Sequence, residues 1–297
     1  MSRCLVTGHK GYIGARLFKR LKELGHEVVG IDLKDDKDIN SLQGLVEDNA
    51  GGFHPFWFTF KPEYIFHLAC WPRVGYSIEN PVLTMKNNVI AGSNVLNFAR
   101  NVEAKRVIYS SSSSVVGNGH GPTSPYALQK LTTEIETKIY SELYDIDTVS
   151  LRYFNVYSED QPADGPYATA IANWMDYIRK EKAPYITGDG EQRRDMLHVE
   201  DAVSANIFAM NYEESFNGRI FDTGTGTNIS LNEVRNIVEK YFSKINFDYI
   251  PARPNDVFET KADTLPLTNL GWTSKIDVVT GVDNCFRSLT NDKKNKL

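Results

Sequence analysis

The sequence is poor in cysteine and lacks any long apolar run. Its 297 residues include three cysteines, Cys4, Cys70 and Cys285, and no CxxC pattern. This usage argues against a disulfide framework and a cysteine-rich zinc site, and it predicts a reducing compartment. No apolar stretch approaches the roughly 20 residues of a membrane span, and the chain opens directly into a predicted strand without a leader. We therefore expect a cytoplasmic protein with no metal and no membrane partner.

Positive charge is equally scarce. The formal net charge is −5, and the one basic block is the terminal KKNK, which we interpret as a frayed tail. Because nucleic-acid-binding proteins present a basic face, no nucleic acid partner is expected. The hydrophobic fraction of 41% is ordinary for a globular protein, and the length fits one large α/β domain or two coupled lobes.

Apolar segments typical of strands alternate with amphipathic segments typical of helices. Predicted strands cover residues 3–8, 27–33, 64–70, 106–112 and 147–157, and predicted helices cover 12–24, 81–103 and 126–144. The alternation predicts an α/β fold with a Rossmann-like, doubly wound parallel sheet. This domain is expected over residues 1–155, rejoined by about 195–225, and the irregular pattern of 156–297 predicts a smaller interleaved C-terminal lobe.

A glycine-rich turn follows the first predicted strand. The segment TGHKGYIG (7–14) places Gly8, Gly11 and Gly14 between a strand and a helix. Such glycines let the turn close, let the backbone approach a pyrophosphate and let the helix pack closely, with the phosphates at the helix N-terminus. Asp32 ends the second strand, where a carboxylate accepts both ribose hydroxyls and repels a 2′-phosphate. The first domain is therefore predicted to bind NAD, although the nearby Lys34 could meet a 2′-phosphate and favours NADP.

A tyrosine and a lysine stand four residues apart in YALQK (126–130). On a helix this spacing places Tyr126 and Lys130 on one face. A free tyrosine has a pKa of about 10, too high for a base at neutral pH. A neighbouring ammonium and the positive nicotinamide ring favour the phenolate, so Tyr126 could take a proton from a sugar hydroxyl while hydride leaves for NAD.

Nearly the whole chain resembles the extended short-chain dehydrogenase/reductases, in particular their NAD-dependent nucleotide-sugar epimerase/dehydratase group, and is most like the 4-epimerases of UDP-glucose and UDP-galactose. The matching motifs are TGHKGYIG, HLA (67–69), NNV (87–89), SSSSSVVG (110–117), YALQK, RYFNVY (152–157), GDGEQRRD (188–195) and ARPND (252–256).

The resemblance implies a set of cofactor contacts and a set of substrate contacts. The implied cofactor residues are Gly8, Gly11, Tyr12, Ile13, Gly14, Asp32, Asp38, Ile39, Leu68, Ala69, Asn87, Ser110, Tyr126, Lys130 and Tyr153. The implied substrate residues are Ser112, Asn155, Arg194, Arg253, Asp256 and Thr260. Asn155 and the two arginines would hold the diphosphate, since guanidinium groups form forked, charge-assisted bonds to phosphate.

The remaining implied roles concern the nucleoside and the sugar. Asp256 would hold the nucleotide ribose, and Thr260 lies where the family gates its sugar pocket. A side chain as small as Thr260 leaves room for an N-acetyl group. His67, by contrast, is interpreted as a packing residue at a strand end.

The run of five serines distinguishes among the reactions of this family. Ser112 matches the family's catalytic serine or threonine, which hydrogen-bonds the reacting hydroxyl. Related 4,6-dehydratases carry an Asp-Glu pair at the two places that are Ser113 and Ser114 here, and decarboxylases carry a glutamate at the second. A serine is a poor general acid or base at neutral pH. The predicted catalytic set is therefore Ser112, Tyr126 and Lys130, and the predicted reaction is 4-epimerisation of a nucleotide sugar, most simply a UDP-sugar, through a 4-keto intermediate.

The sequence leaves alternative functions open. A 4-keto-sugar reductase or a dehydratase of the same family would use the same fold, and a non-catalytic NAD-sensing protein would have no need of the tyrosine–lysine pair. A homodimer is expected by analogy, through the helices at 81–103 and 126–144. The segment after Asp32 is so short that a helix and a strand are expected to be missing, and the aromatic run 51–60 is interpreted as a packing plug.

Overall fold

The computed structural model describes residues 1–33, 41–43, 59–72, 74–117, 119–163, 168–252 and 257–294. Its strands are β1 (Arg3–Thr7), β2 (Glu27–Asp32), β3 (Ser41–Gln43), β4 (Tyr64–His67), β5 (Arg106–Ser112), β6 (Asp147–Tyr153), β7 (Tyr185–Thr187), β8 (Arg193–Arg194), β9 (Arg219–Thr223), β10 (Ile229–Ser230), β11 (Asp248–Ile250) and β12 (Glu259–Thr260).

Its helices are α1 (Tyr12–Glu23), α2 (Val74–Glu79), α3 (Pro81–Met85), α4 (Ala91–Asn101), α5 (Pro125–Tyr144), α6 (Ala170–Arg179), α7 (Val199–Asn211), α8 (Leu231–Tyr241), α9 (Leu265–Asn269) and α10 (Val278–Lys294). A π-helical turn (Lys86–Ile90) joins α3 to α4, and a 3₁₀ turn (Ser113–Val115) follows β5. No helix within the described ranges is long and apolar enough to cross a membrane.

The central sheet has seven strands in the order β3-β2-β1-β4-β5-β6-β9. The pairings of β1 with β2 and β4, of β2 with β3, and of β4 with β5 are all parallel. This is the strand order of a doubly wound sheet, whose binding crevice lies outside the carboxyl ends of the strands. The predicted Rossmann-like α/β fold is confirmed.

Two local features differ from or lie beyond the expectations. Residues 34–40, where a helix and a strand were expected to be missing, lie outside the described residues, and a strand that was not predicted, β3, follows them and pairs with β2. Its sequence, Ser-Leu-Gln, is too short and too polar to show a strand pattern. The predicted helix over 81–103 is interrupted by the π-helical turn at Lys86–Ile90, and such turns are frequent at functional sites.

The chain divides into two compact units. Unit 1 comprises residues 1–116, 121–152 and 202–221, and unit 2 comprises residues 117–120, 153–201 and 222–297. One buried cluster of unit 1 is built on Leu5, Ile65 and Val107 of the sheet with Leu96 of α4, and Phe60, the last residue of the aromatic run, packs into it. The rest of that run, residues 51–58, lies outside the described residues. Unit 2 has its own core around Trp174, Ile186 and Phe286.

Candidate active site

The glycine-rich turn of unit 1 leaves no room for larger residues. Gly8 has a φ of +73°, and a Cβ atom there would lie 2.8 Å from the backbone nitrogen of Ala69. A Cβ on Gly14 would lie 2.1 Å from the Gly8 carbonyl oxygen, so the third glycine is required by the turn itself. Gly11, the N-cap of α1, supplies no capping side chain, and the first turn holds no acidic residue. This backbone cradle at a helix N-terminus fits a phosphate group.

Asp32 and the end of β4 border this turn. The Asp32 carboxylate at the end of β2 accepts a hydrogen bond of 2.9 Å from the Lys10 backbone. Ala69, after β4, donates its backbone N–H to Thr7 Oγ1 at 3.1 Å. The glycine-rich turn, Asp32 and Leu68–Ala69 thus lie close together at the carboxyl edge of the sheet. Residues that contact one cofactor molecule would need to be this close. The predicted contacts Asp38 and Ile39 lie outside the described residues.

The serine run combines a strand end with a tight turn. Ser112 ends β5 and caps the 3₁₀ turn by accepting the Ser114 backbone N–H at 3.2 Å. The Ser114 hydroxyl lies 3.0 Å from Ser112 Oγ and donates to it. Ser111 points elsewhere, because its hydroxyl donates to the buried Glu134. The serine hydroxyls therefore contact different groups, and Ser112 is the one that acts to lower the pKa of Tyr126.

Tyr126 and Lys130 lie on α5 beside this strand end. Lys130 is 2% exposed, and its Nζ donates to the Ser110 carbonyl oxygen at 2.7 Å. The same Nζ lies 5.9 Å from the centre of the Tyr126 ring. Burial raises the pKa of Tyr126 to about 12, whereas the Lys130 charge and the Ser112 hydrogen bond act to lower it. Ser112, Tyr126 and Lys130 are brought together as predicted.

The N-terminus of α5 is anchored by a residue that sequence reasoning missed. Ser77 of α2 is fully buried, donates to the Val74 carbonyl oxygen and accepts the Tyr126 backbone N–H at 3.0 Å. Ser124 caps the helix by accepting the Ala127 N–H at 3.2 Å, and Pro125 has no N–H to satisfy. The backbone N–H groups of Tyr126 and Ala127 in the first turn of α5 are therefore each bonded to a serine, and no local pattern around Ser77 indicated its contact.

The π-helical turn places two buried asparagines near the same strand ends. Asn87, a predicted cofactor contact, is buried. Asn88 pairs with the backbone of Trp71, accepting its N–H at 2.7 Å and donating to its carbonyl oxygen at 3.0 Å. Its amide also donates to Gln129 of α5 at 2.8 Å. This network ties the loop after β4 to the helix that carries Tyr126.

The predicted substrate contacts that the structure describes belong to unit 2, apart from Ser112. Asn155 adopts a left-handed backbone with a φ of +37°. Its side-chain amide donates to the Asp195 carbonyl oxygen at 2.7 Å and makes a longer contact of 3.4 Å with Thr260 Oγ1. The buried Asp195 carboxylate accepts the backbone N–H groups of Thr225, Gly226 and Ala262. Asp195 thus fixes the segments around Asn155 and Thr260, although sequence reasoning did not select it.

The remaining predicted residues are placed as follows. Arg194 lies on β8 in register with Thr260 of β12, and its guanidinium donates to the carbonyl oxygens of Arg193 and Phe258 at 2.9 and 3.1 Å. Tyr153 ends β6 and is buried. Arg253 and Asp256 lie outside the described residues.

Comparison with known proteins gives concordant matches. Residues 4–224 match the model of the NAD dependent epimerase/dehydratase family. A putative UDP-glucose 4-epimerase of Methanocaldococcus jannaschii is 30% identical over 98% of this chain and 99% of its own length. The UDP-glucose 4-epimerase of Thermotoga maritima, solved with UDP-glucose, has 27% identity and a TM-score of 0.88, covering 98% of this chain and 99% of that one. The UDP-glucose 4-epimerase of Thermus thermophilus, solved with NAD, has 26% identity and a TM-score of 0.84 over 96% and 99%.

Proposed function

The chain belongs to the NAD-dependent epimerase/dehydratase family, and we propose that it is an NAD-dependent nucleotide-sugar 4-epimerase that acts on a UDP-sugar. The observation that carries this proposal is the arrangement of Ser112, Tyr126 and Lys130. Next to them, Ser113 and Ser114 occupy the two positions where related dehydratases have carboxylate side chains. The Ser114 hydroxyl donates its hydrogen bond to Ser112. It therefore does not replace the acid or base that elimination of water needs.

Each residue of the trio has a physical task. Lys130 keeps its ammonium 5.9 Å from the Tyr126 ring, where positive charge stabilises a phenolate. Ser112 also acts to lower the pKa of Tyr126, which favours the phenolate. Tyr126 then removes the proton from the sugar 4-hydroxyl and later returns it. NAD would supply a hydride acceptor beside C4, so that loss of a proton to Tyr126 and of a hydride from C4 would give a 4-keto sugar, and return of both would restore the alcohol with either configuration.

The turn at 8–14 and Asp32 would hold NAD, since the glycine cradle fits a pyrophosphate and the carboxylate suits ribose hydroxyls. Asn155, Arg194 and Thr260 of unit 2, with Arg253 and Asp256, are proposed to bind the nucleotide sugar. Because burial raises the pKa of Tyr126 to about 12, its phenolate fraction is small at neutral pH. Turnover should therefore rise as pH increases towards that value.

The first test is incubation of the purified protein with a panel of nucleotide sugars and no added cofactor, followed by chromatography with mass detection. The panel contains UDP-glucose, UDP-N-acetylglucosamine, UDP-glucuronate, and GDP- and dTDP-sugars. A new peak of unchanged mass is the expected result. The matched control is Tyr126→Phe, which keeps the ring and should lower the rate by about 10²–10⁴-fold.

Other outcomes would favour other members of the family. A product lighter by water or carbon dioxide would contradict the reading of Ser113 and Ser114. Turnover that appears only after NADH or NADPH is added would indicate a 4-keto-sugar reductase. Absence of any turnover together with stoichiometric bound NAD would favour a sensor. A cytoplasmic location stays a prediction.

We also propose that the protein is a homodimer through α5. Four apolar residues of this helix are 41–68% exposed, and their spacing of seven, four and four places them in one stripe: Leu128, Ile135, Ile139 and Leu143. A second copy of the chain would cover the same stripe on both partners, as a two-fold axis requires. Ile139→Glu should yield monomers in analytical ultracentrifugation, whereas the adjacent exposed Lys138→Glu should not. A monomeric wild-type protein at micromolar concentration would refute the proposal.

A further inference from the structure

The Lys130 ammonium is enclosed by two consecutive residues of β5. Its Nζ donates to the Ser110 carbonyl oxygen at 2.7 Å and lies 5.0 Å from the centre of the Tyr109 ring. We propose that Tyr109 is a positioning residue, whose ring face holds this ammonium where it stabilises the Tyr126 phenolate. The inference rests on the proposed role of Tyr126 and Lys130, and it adds a residue to which neither the motif nor the family comparison assigned a task.

The Tyr109 ring is itself held in a row that crosses three strands. Thr7 of β1 is in register with His67 of β4, and His67 is in register with Tyr109 of β5. The His67 and Tyr109 rings stack with centroids 5.7 Å apart and planes inclined by 28°. His67 Nδ1 lies 2.8 Å from Thr7 Oγ1, so the imidazole is tied to β1. The row therefore gives the lysine a rigid aromatic support.

The row adds no further charge beside Lys130. Burial, together with the Lys130 charge, lowers the pKa of His67 to about 3, so the imidazole is neutral and adds no second cation. Burial raises the pKa of Tyr109 well above its usual value, so the phenol stays neutral. An ammonium removed from water loses hydration energy unless it gains partners. The π face and the Ser110 carbonyl oxygen are such partners, since cation–π attraction grows when water is excluded.

The groups that act on Tyr126 come from several elements. Lys130 from the same helix and Ser112 from β5 lower the pKa of Tyr126, whereas Cys70 after β4 and the Tyr109 hydroxyl of β5 raise it. The last effect is lost in any variant that removes the Tyr109 hydroxyl. Lys130 is the one of these that carries a positive charge, and it opposes the effect of burial. If Tyr109 no longer held the ammonium in place, the pKa of Tyr126 should rise, because the phenolate would lose its main source of stabilisation.

Two substitutions separate the ring face from the hydroxyl. Tyr109→Phe keeps the π face and loses the hydroxyl, whose pKa is lowered by Thr133 of α5. Tyr109→Leu keeps an apolar side chain and loses the π face. A contribution of the ring face predicts a large effect for leucine and a small one for phenylalanine, whereas loss of the hydroxyl alone would change the pKa of Tyr126 equally in both variants. Fluorinated phenylalanines at position 109 separate the ring face from packing, because they change the π face with little change of volume.

The test measures the titration of Tyr126 by NMR in the NAD-bound protein, because the positive nicotinamide ring lowers the midpoint. The protein is labelled with ¹³C at tyrosine Cζ, and the signal is assigned by its absence from Tyr126→Phe. Tyr109→Leu is expected to raise the Tyr126 midpoint by about one unit relative to wild type, the order expected for loss of a desolvated cation–π contact. Turnover at neutral pH should fall about ten-fold and recover as the pH is raised. Tyr109→Phe should stay within about 0.3 units of wild type.

A folded Tyr109→Leu protein with an unchanged Tyr126 midpoint would overturn the proposal. Whether or not the leucine variant folds, phenylalanines with one, two and three ring fluorines are placed at position 109, because fluorination weakens the π face with little change of volume. The midpoint should then rise with each fluorine, and a flat series would overturn the proposal. Since the titration is observed without substrate, its result stands even if the 4-epimerase assay gives no product.

Discussion

Replacing Arg152 by methionine should cost about 3 kcal/mol of unfolding free energy. Arg152 at the end of β6 forms a forked pair with Glu134 of α5, with its Nε and Nη2 atoms 2.8 and 2.7 Å from the two carboxylate oxygens. The Glu134 side chain is 0% exposed, whereas that of Arg152 is 23% exposed. The hydroxyl of Ser111 is the other side-chain donor to this carboxylate. Loss of the guanidinium would leave a buried charge with one neutral partner.

The magnitude follows from the unequal burial of the two partners. Removal of one member of a buried ion pair costs about 3–5 kcal/mol, because the other charge remains desolvated. The partial exposure of Arg152 places its removal at the lower end of that range. Glu134→Gln should cost less, about 1–2 kcal/mol, because Arg152 can turn to water and the amide still accepts a hydrogen bond. Once Glu134 is neutral, a second change, Arg152→Met, should add little.

Urea denaturation of wild type, the two single variants and the double variant completes a thermodynamic cycle. The expected order of stability is wild type, then Glu134→Gln and the double variant together, then Arg152→Met. If Arg152→Met cost no more than Glu134→Gln, the pair would not behave as a buried carboxylate that depends on its arginine, and the reasoning from burial would be wrong.

Three further predictions concern other parts of the molecule. The pKa of His67 is lowered to about 3 in the folded protein and is about 6.5 when unfolded, so the unfolded state binds more protons as the pH falls. The free energy of unfolding should therefore decrease between pH 8 and pH 5 by about 2 kcal/mol more in wild type than in His67→Asn. Gly14→Ala should abolish NAD binding in calorimetry, since its Cβ would lie 2.1 Å from the Gly8 carbonyl oxygen, and NAD binding by this variant equal to that of wild type would contradict the cradle. Thr260→Tyr should slow turnover of UDP-N-acetylglucosamine more than that of UDP-glucose, and equal effects would remove Thr260 from the sugar pocket.

Local pattern was sufficient for the elements that carry the proposed catalytic groups. The apolar run before the serines predicted β5 with the bounds observed, 106–112. The predicted helix at 126–144 differs from α5 by one residue, since the observed helix begins at Pro125. Strand runs, helix periodicity and N-caps depend on residues within a few positions of one another, so they are legible in one sequence. The short strand β3 and the π-helical turn were missed because neither displays such a period.

Motifs and periodicity within one chain were thus enough to indicate the family, the Rossmann-like sheet and the spacing of Tyr126 and Lys130 on one helical face. The distant residues that support that pair could be identified from the folded chain alone. Ser77 is 49 residues from Tyr126, and Thr7 is 60 residues from His67. Strand register and helix packing set these partners. Each buried face carries several residues of similar polarity and size, and the register of the folded sheet determines which of them lie opposite one another.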